Sequence, residues 1–191
     1  MPKPEILPLN VRLERLGQQI VRARLFLDLW FYFEEHQSRQ TIIDTMREYN
    51  EFFRFTPHAY LVSYVVYIAG VFEHRRDTVC LHALTRDVEA AGKLGSGEIA
   101  ALDLLLTNAA STASKATILR SNAFAHRSGS MSYDDVFGRA AVTPGELRDL
   151  TDVALAVANR LLLSCDLQDQ RFTELPRKAA EEMMRALAKV R

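Results

Sequence analysis

The sequence predicts an all-α fold, a helical bundle with a helical extension at its C-terminal end. Three observations carry that expectation. No segment sustains the apolar and polar alternation that a half-buried strand requires. Only eight glycines and six prolines punctuate 191 residues. Long runs instead repeat apolar residues at helical spacing, as Leu13, Leu16, Ile20, Leu27 and Phe31 do.

Taken in order, residues 1–8 (M-P-K-P-E-I-L-P) read as a short disordered tail, because prolines interrupt any apolar stretch that an export signal would need. A long helix is expected from Leu9 to Ser38 and a short one from Thr41 to Phe53. Thr56-Pro57 suits a helix start, the threonine as cap and the proline in the first turn, for a helix reaching His74. Asp77 or Thr78 can cap the next, which ends near Ala91 before the glycines of G-K-L-G-S-G. Ser96 or Gly97 then opens a helix that reaches at least Leu119. Thr143-Pro144-Gly145-Glu146 is a capping box ahead of the run Leu147 to Cys165, because Thr143 and Glu146 can each satisfy the other's exposed amide. Between them, residues 127–144 form a connection rich in turn formers, a length often tied to function. Residues 9–170 are expected to form the main helical domain. Residues 171–191 add an amphipathic helix with Ala179, Met183, Leu187 and Val190 on one side.

Composition narrows the function classes. Lysine plus arginine balances aspartate plus glutamate at 24 each, so no whole-molecule field gathers nucleic acid or an anionic membrane, and any polyanion site must be local. Cys80 and Cys165 lie in apolar helical patterns without metal-ligand spacing, which predicts buried reduced thiols and a cytoplasmic location. Leu61 to Phe72, the most apolar stretch, is too short to span a bilayer, so no membrane role is expected. His36 beside Glu34 and Glu35 lacks a second histidine at ligand spacing, and no metal or other cofactor is expected. Asp134 and Asp135 are neighbours and diverge; Ser132 or Asp135 is better read as a cap. The aromatics Trp30, Phe31, Tyr32, Phe33, Tyr49, Phe52, Phe53 and Phe55 read as core packing before base stacking.

One stretch carries chemistry: L-R-S-N-A-F-A-H-R-S, residues 119–128, with Arg120 and His126 six positions apart. The same spacing occurs at Arg76 and His82, so spacing alone does not choose between the two pairs. On a straight α-helix six residues leave two side chains about 120° apart, and neither pair converges. Ser121 and Asn122 favour side-chain bonding to the backbone, so a helix ending or bending between Arg120 and His126 is expected.

R-S-N-A-F-A-H-R-S resembles the signature of the HEPN superfamily, an arginine, four to six residues and a histidine after a long bundle helix. The block from Phe52 to Leu84 is similar to the central region of the abortive-infection HEPN group, and the resemblance extends over Val11 to Leu163. It implies a HEPN-like helical bundle, commonly a homodimer, and for active members a metal-independent endoribonuclease acting as a toxin or in phage defence. Arg120 and His126 would then be catalytic, with Asn122, Arg127 and Lys115 as substrate-binding neighbours and RNA as the ligand. The small residues of Asn108 to Thr117 suit close approach of two helices, within one bundle or between subunits. A neutralising antitoxin protein is a further implied partner. Ser128, however, stands where some HEPN toxins carry a tyrosine that their antitoxin modifies, and Ser121 follows Arg120 where many members have a more polar residue. The alternative reading is a non-catalytic HEPN-like module that binds a nucleotide, RNA or a partner protein.

Overall fold

The computed structural model describes residues 6–75, 77–125 and 132–190, and within them every regular element is helical. The sequence-predicted tail is described only from Ile6, which is exposed together with Leu7. Helix α1 runs Leu9–Glu34, α2 His36–Glu48, α3 Asn50–Phe53, α4 Thr56–Val71 and α5 Leu81–Ala90. Helix α6 follows over Ser96–Leu119 and passes into a π-helical turn, Arg120–Ala125; α7 is Tyr133–Ala140, α8 Pro144–Ser164 and α9 Leu175–Lys189.

The main core is built on α1, which packs chiefly against α4 and α8, while α6 lies against α8 and α4. Leu13, Leu16, Ile20 and Leu27 are fully buried there with Tyr64, Ile68, Leu161 and Leu162. Each such side chain contributes about 2 kcal/mol of transfer free energy, which is why the helical repeat in α1 specifies its buried face. The phenol of Tyr64 donates to the Leu147 carbonyl oxygen at 2.7 Å and lies 3.1 Å from Thr151 Oγ1, tying α4 to α8 inside this core. Burial pushes the Tyr64 phenol well above its ordinary range. At Gly17 a Cβ would meet Gln170 Cγ at 2.8 Å, so its absence lets the segment after α8 lie against α1. Asn159 holds that segment, its Oδ1 accepting from Gln170 N at 2.8 Å and its Nδ2 donating to Gln170 O at 2.9 Å.

A second, smaller cluster joins Leu29, Tyr32 and Phe33 of α1 to Ile42 and Met46 of α2, Phe53 of α3, and Ala180 and Met184 of α9. This explains the first departure from the sequence expectation. The helix predicted through Ser38 stops at Glu34, because Glu35 takes an extended conformation (ψ 132°) and α2 turns to cover Tyr32 and Phe33. Phe31 meanwhile points into the main core. The segment predicted from Thr41 is accordingly helical from His36, and Asn50–Phe53 forms its own short turn.

Other expectations are corrected at element ends. Thr56 is inside α4 and its hydroxyl donates back to Phe52 O at 2.7 Å, so it is not a cap, and α4 ends at Val71, before His74. Neither Asp77 nor Thr78 caps α5, which starts at Leu81 behind Cys80; Asp77 is instead bound by Arg75. The connection before α8 contains α7, capped by Ser132, whose Oγ accepts from Asp135 N at 3.2 Å while Ser132 N donates to Asp135 Oδ2 at 2.9 Å. In α9 the buried face agrees with the predicted one at Leu187, which packs against the second cluster, but Ala180 and Met184 are covered in place of Ala179 and Met183, and Met183 and Val190 are exposed. Cys80 is buried as expected, but Cys165 is only half-buried, and both are free thiols. Among the aromatics, Phe31, Tyr32, Phe33 and Phe53 are core residues, whereas Phe52 and Phe55 stand exposed on α3 and the turn after it.

Candidate functional site

Arg120 opens the π-helical turn that ends α6. Such turns, with one extra residue per hydrogen-bonded ring, occur mostly as single turns within α-helices and frequently at functional sites. The sequence accounts for this one locally. The Asn122 side-chain amide donates to Ile118 O at 3.1 Å, the carbonyl that its backbone N–H would take in an α-helix. Phe124 then anchors the turn, meeting the His58 ring of α4 edge-on at 5.7 Å and the Phe137 ring of α7 at 6.1 Å. The predicted change of helix geometry after Leu119 is thus present, as a π turn wedged between α4 and α7.

The Arg120 guanidinium is ion-paired through Nη1 with Glu73, in the segment just beyond α4, and its side chain remains 33% exposed. Of the other predicted site residues, Asn122 spends its amide on the turn itself. Lys115 Nζ donates to Glu146 Oε1 at 2.6 Å. Glu146 is also the return arm of the α8 capping box: Thr143 N donates to its Oε2 at 2.7 Å and Glu146 N donates to Thr143 Oγ1 at 3.2 Å. These bonds, that from Lys115 foremost, hold the Glu146 carboxyl down to about 2. The structure therefore joins Lys115 to α8 and Arg120 to the end of α4. His126 and Arg127 lie outside the described residues, as does Arg76 of the alternative pair.

His82, the other half of that alternative, is half-buried at the start of α5, with its ring stacked on His74 at 4.0 Å between centroids. Burial, then the neighbouring charges of His74 and Arg86, push its pKa below the ordinary 6.5, against an opposing pull from Asp103. Glu73, His74 and Asp103 were not singled out from the sequence. Nothing local to the charged stretch E-H-R-R-D, residues 73–77, signals a partner 47 residues away at Arg120.

The small residues of Asn108 to Thr117 divide between two faces of α6: Ala109, Ala113 and Ala116 are buried in the main core, while Ala110, Ser114 and Thr117 face outward. Among the described residues no group of three histidine, cysteine or acidic side chains is arranged to hold a metal ion. No helix among them is long and apolar enough to cross a membrane.

No curated protein and no solved structure matches the chain. The family model HEPN_AbiU2, described as AbiU2, matches residues 6–181, which include the whole of α1 to α8, the π turn and the arginine–histidine stretch. This all-α chain, with an arginine at the end of its long sixth helix, belongs to the HEPN_AbiU2 family.

Proposed function

We propose that the protein is a metal-independent endoribonuclease of the phage-defence type, active as a cytoplasmic homodimer, with Arg120 and His126 as catalytic residues. The observation that carries this reading is the state of Arg120. Its guanidinium is steadied by Glu73 through one nitrogen while a third of the side chain stays open to solvent, on the turn that leads to His126.

The chemistry suits so sparse a site. RNA supplies its own nucleophile, the 2′-hydroxyl. Its oxygen forms a bond to phosphorus and the bond from phosphorus to the 5′-oxygen breaks, leaving a 2′,3′-cyclic phosphate and a 5′-hydroxyl. The 2′-proton is taken up by an imidazole and the leaving 5′-oxygen is protonated in turn, work that a histidine titrating near neutrality performs. Arg120 stabilises the extra negative charge of the pentavalent phosphorus through its free N–H groups. A second subunit supplies a second arginine and histidine. Asn122, Arg127 and Lys115 flank the substrate phosphates, Lys115 after exchanging Glu146 for phosphate.

Membership of the HEPN_AbiU2 family supports an abortive-infection role, with an antitoxin protein as the restraining partner. The second reading, a non-catalytic module that binds RNA, a nucleotide or a protein, is favoured by the same ion pairs: Glu73 and Glu146 already neutralise Arg120 and Lys115. End-group analysis of RNA incubated with the protein in a chelator separates the two. Fragments bearing 2′,3′-cyclic phosphate and 5′-hydroxyl ends are expected, and intact RNA, or 3′-hydroxyl ends, would reject the ribonuclease.

A further inference from the structure

A groove of about 650 Å³ lies between α6 and the segment that joins α4 to α5. Phe72, His74, His82, Asp103, Thr107 and Ser114 are among its lining residues. Asp103, Thr107 and Ser114 are spaced so that they stand in line on one face of α6. The other wall carries the stacked imidazoles of His74 and His82, whose planes are 25° apart. Its size falls within the range of small-ligand sites, roughly 300–1,000 Å³.

Apart from Thr117, whose hydroxyl donates to Ala113 O at 3.0 Å, the polar side chains of this groove are uncommitted. Asp103, Thr107, Ser114, His74 and His82 make no side-chain hydrogen bond or ion pair with any described residue, whereas Glu73 and Lys115 nearby are both paired. The groove also ends at the candidate site. Its lining includes His74, which directly follows Glu73, and Thr117, which precedes Arg120 by about one helical turn.

From this arrangement we infer that the groove is a base-recognition subsite for guanine in RNA, the base stacking on the His74–His82 pair while the Asp103 carboxylate accepts its N1–H and N2 amino protons. The choice of base follows from hydrogen-bonding capacity. An ionised carboxylate is an acceptor only, with two oxygens side by side. Guanine alone presents two adjacent donors on its pairing edge; adenine and cytosine set one donor beside an acceptor, and uracil sets one donor between two acceptors. His82 is held toward its neutral form, so the two rings stack without mutual repulsion and leave a ring nitrogen free to bond the ligand. Thr107 and Ser114 add hydroxyls for the ribose. That the ligand is RNA rests on the ribonuclease reading, and the groove's position places the bound nucleoside next to the phosphate held by Arg120.

The test is calorimetric titration of the full chain with guanosine, adenosine, cytidine and uridine 5′-monophosphates. Alongside the wild type it uses Asp103→Asn, Arg120→Ala and Ala110→Trp, the last filling the groove from its α6 wall. The guanine nucleotide should bind at least about tenfold more tightly than the other three. Asp103→Asn should erase that preference, and Ala110→Trp should abolish binding with an unchanged circular-dichroism spectrum. Arg120→Ala should keep the preference while losing RNA cleavage. Equal binding of all four nucleotides, or a guanine preference that survives Asp103→Asn, would overturn the inference. So would a wild type that binds none of the four nucleotides; a dimer that Ala110→Trp then splits into monomers would identify the groove as a contact between copies. Guanine preference without any RNA cleavage would sink the ribonuclease reading and leave the guanine site standing; cleavage without base preference would do the reverse.

Discussion

Glu73 and Arg120 form an ion pair across 47 residues of chain, joining the segment after α4 to the turn that ends α6. Both side chains are partly exposed, 21% and 33%, so the pair is reachable by solvent and by a competing anion. Its consequence for the proposed reaction is specific: a substrate phosphate must share or displace Glu73 to reach the guanidinium.

Glu73→Gln keeps the hydrogen-bonding shape of that partner and removes its charge. A partly exposed ion pair is worth up to about 1 kcal/mol, so RNA affinity should rise by up to about fivefold while the native state is little changed. Filter binding of RNA to the wild type and the variant measures this. Weaker binding by Glu73→Gln would show that Glu73 does not compete with the phosphate.

Tyr64 and Thr151 share the Leu147 carbonyl inside the main core, at 2.7 and 2.8 Å. In Tyr64→Phe the carbonyl keeps the threonine, so the loss should be about 1 kcal/mol, typical of one buried hydrogen bond. Urea unfolding at neutral pH checks it. A loss of several kcal/mol would mean that packing around the ring, not the hydroxyl, had been disturbed.

Thr143→Ala removes the acceptor for Glu146 N at the start of α8 and should cost about 1 kcal/mol. Glu146 carries a pH signature of its own. Its folded carboxyl titrates at about 2 against an ordinary 4.5, so its contribution is fully present above pH 4.5 and is lost as pH falls toward 2. Glu146→Gln should therefore narrow the gap in stability between pH 5 and pH 2.5, read by thermal unfolding in matched buffers.

His82 acts in the same direction, in a higher pH window. Its folded pKa is depressed by burial, so below the ordinary 6.5 the unfolded chain takes up the proton that the folded chain resists. Stability should fall as pH drops through 6.5 and level off once the folded histidine is itself protonated. His82→Gln should flatten that part of the urea-midpoint profile, and an unchanged slope would count against the burial argument.

Local patterns explain how much of this was legible in the sequence. The box at Thr143 and Glu146 was readable because both partners sit within one helical turn, and the buried repeat of α1 because a 3.6-residue period needs no knowledge of the partner helix. Ser132 and Asp135 carry the same cue, yet the glycines and serines around them made α7 read as part of a loop. The stop at Glu35 has no proline or glycine to announce it; it comes from the need to cover Tyr32 and Phe33, which is a tertiary demand. On α9 Leu187 was read correctly, while the first two turns were read one position off, because Ala179 and Ala180, like Met183 and Met184, are alternatives that only packing on α1 and α2 decides. At the candidate site, Arg120 was readable from its motif, but Glu73 and the groove beside it were not, since they depend on α4, α5 and α6 meeting in space.

In the proposed reaction the Arg120 guanidinium and the His126 imidazole perform RNA cleavage. The most direct measurement is the single-turnover cleavage rate of RNA by wild type, Arg120→Ala and His126→Ala, each with a chelator present. Cleavage by the wild type is expected, with a loss of at least about a hundredfold in each variant. Equal rates for all three proteins, or a wild-type activity that the chelator abolishes, would contradict it.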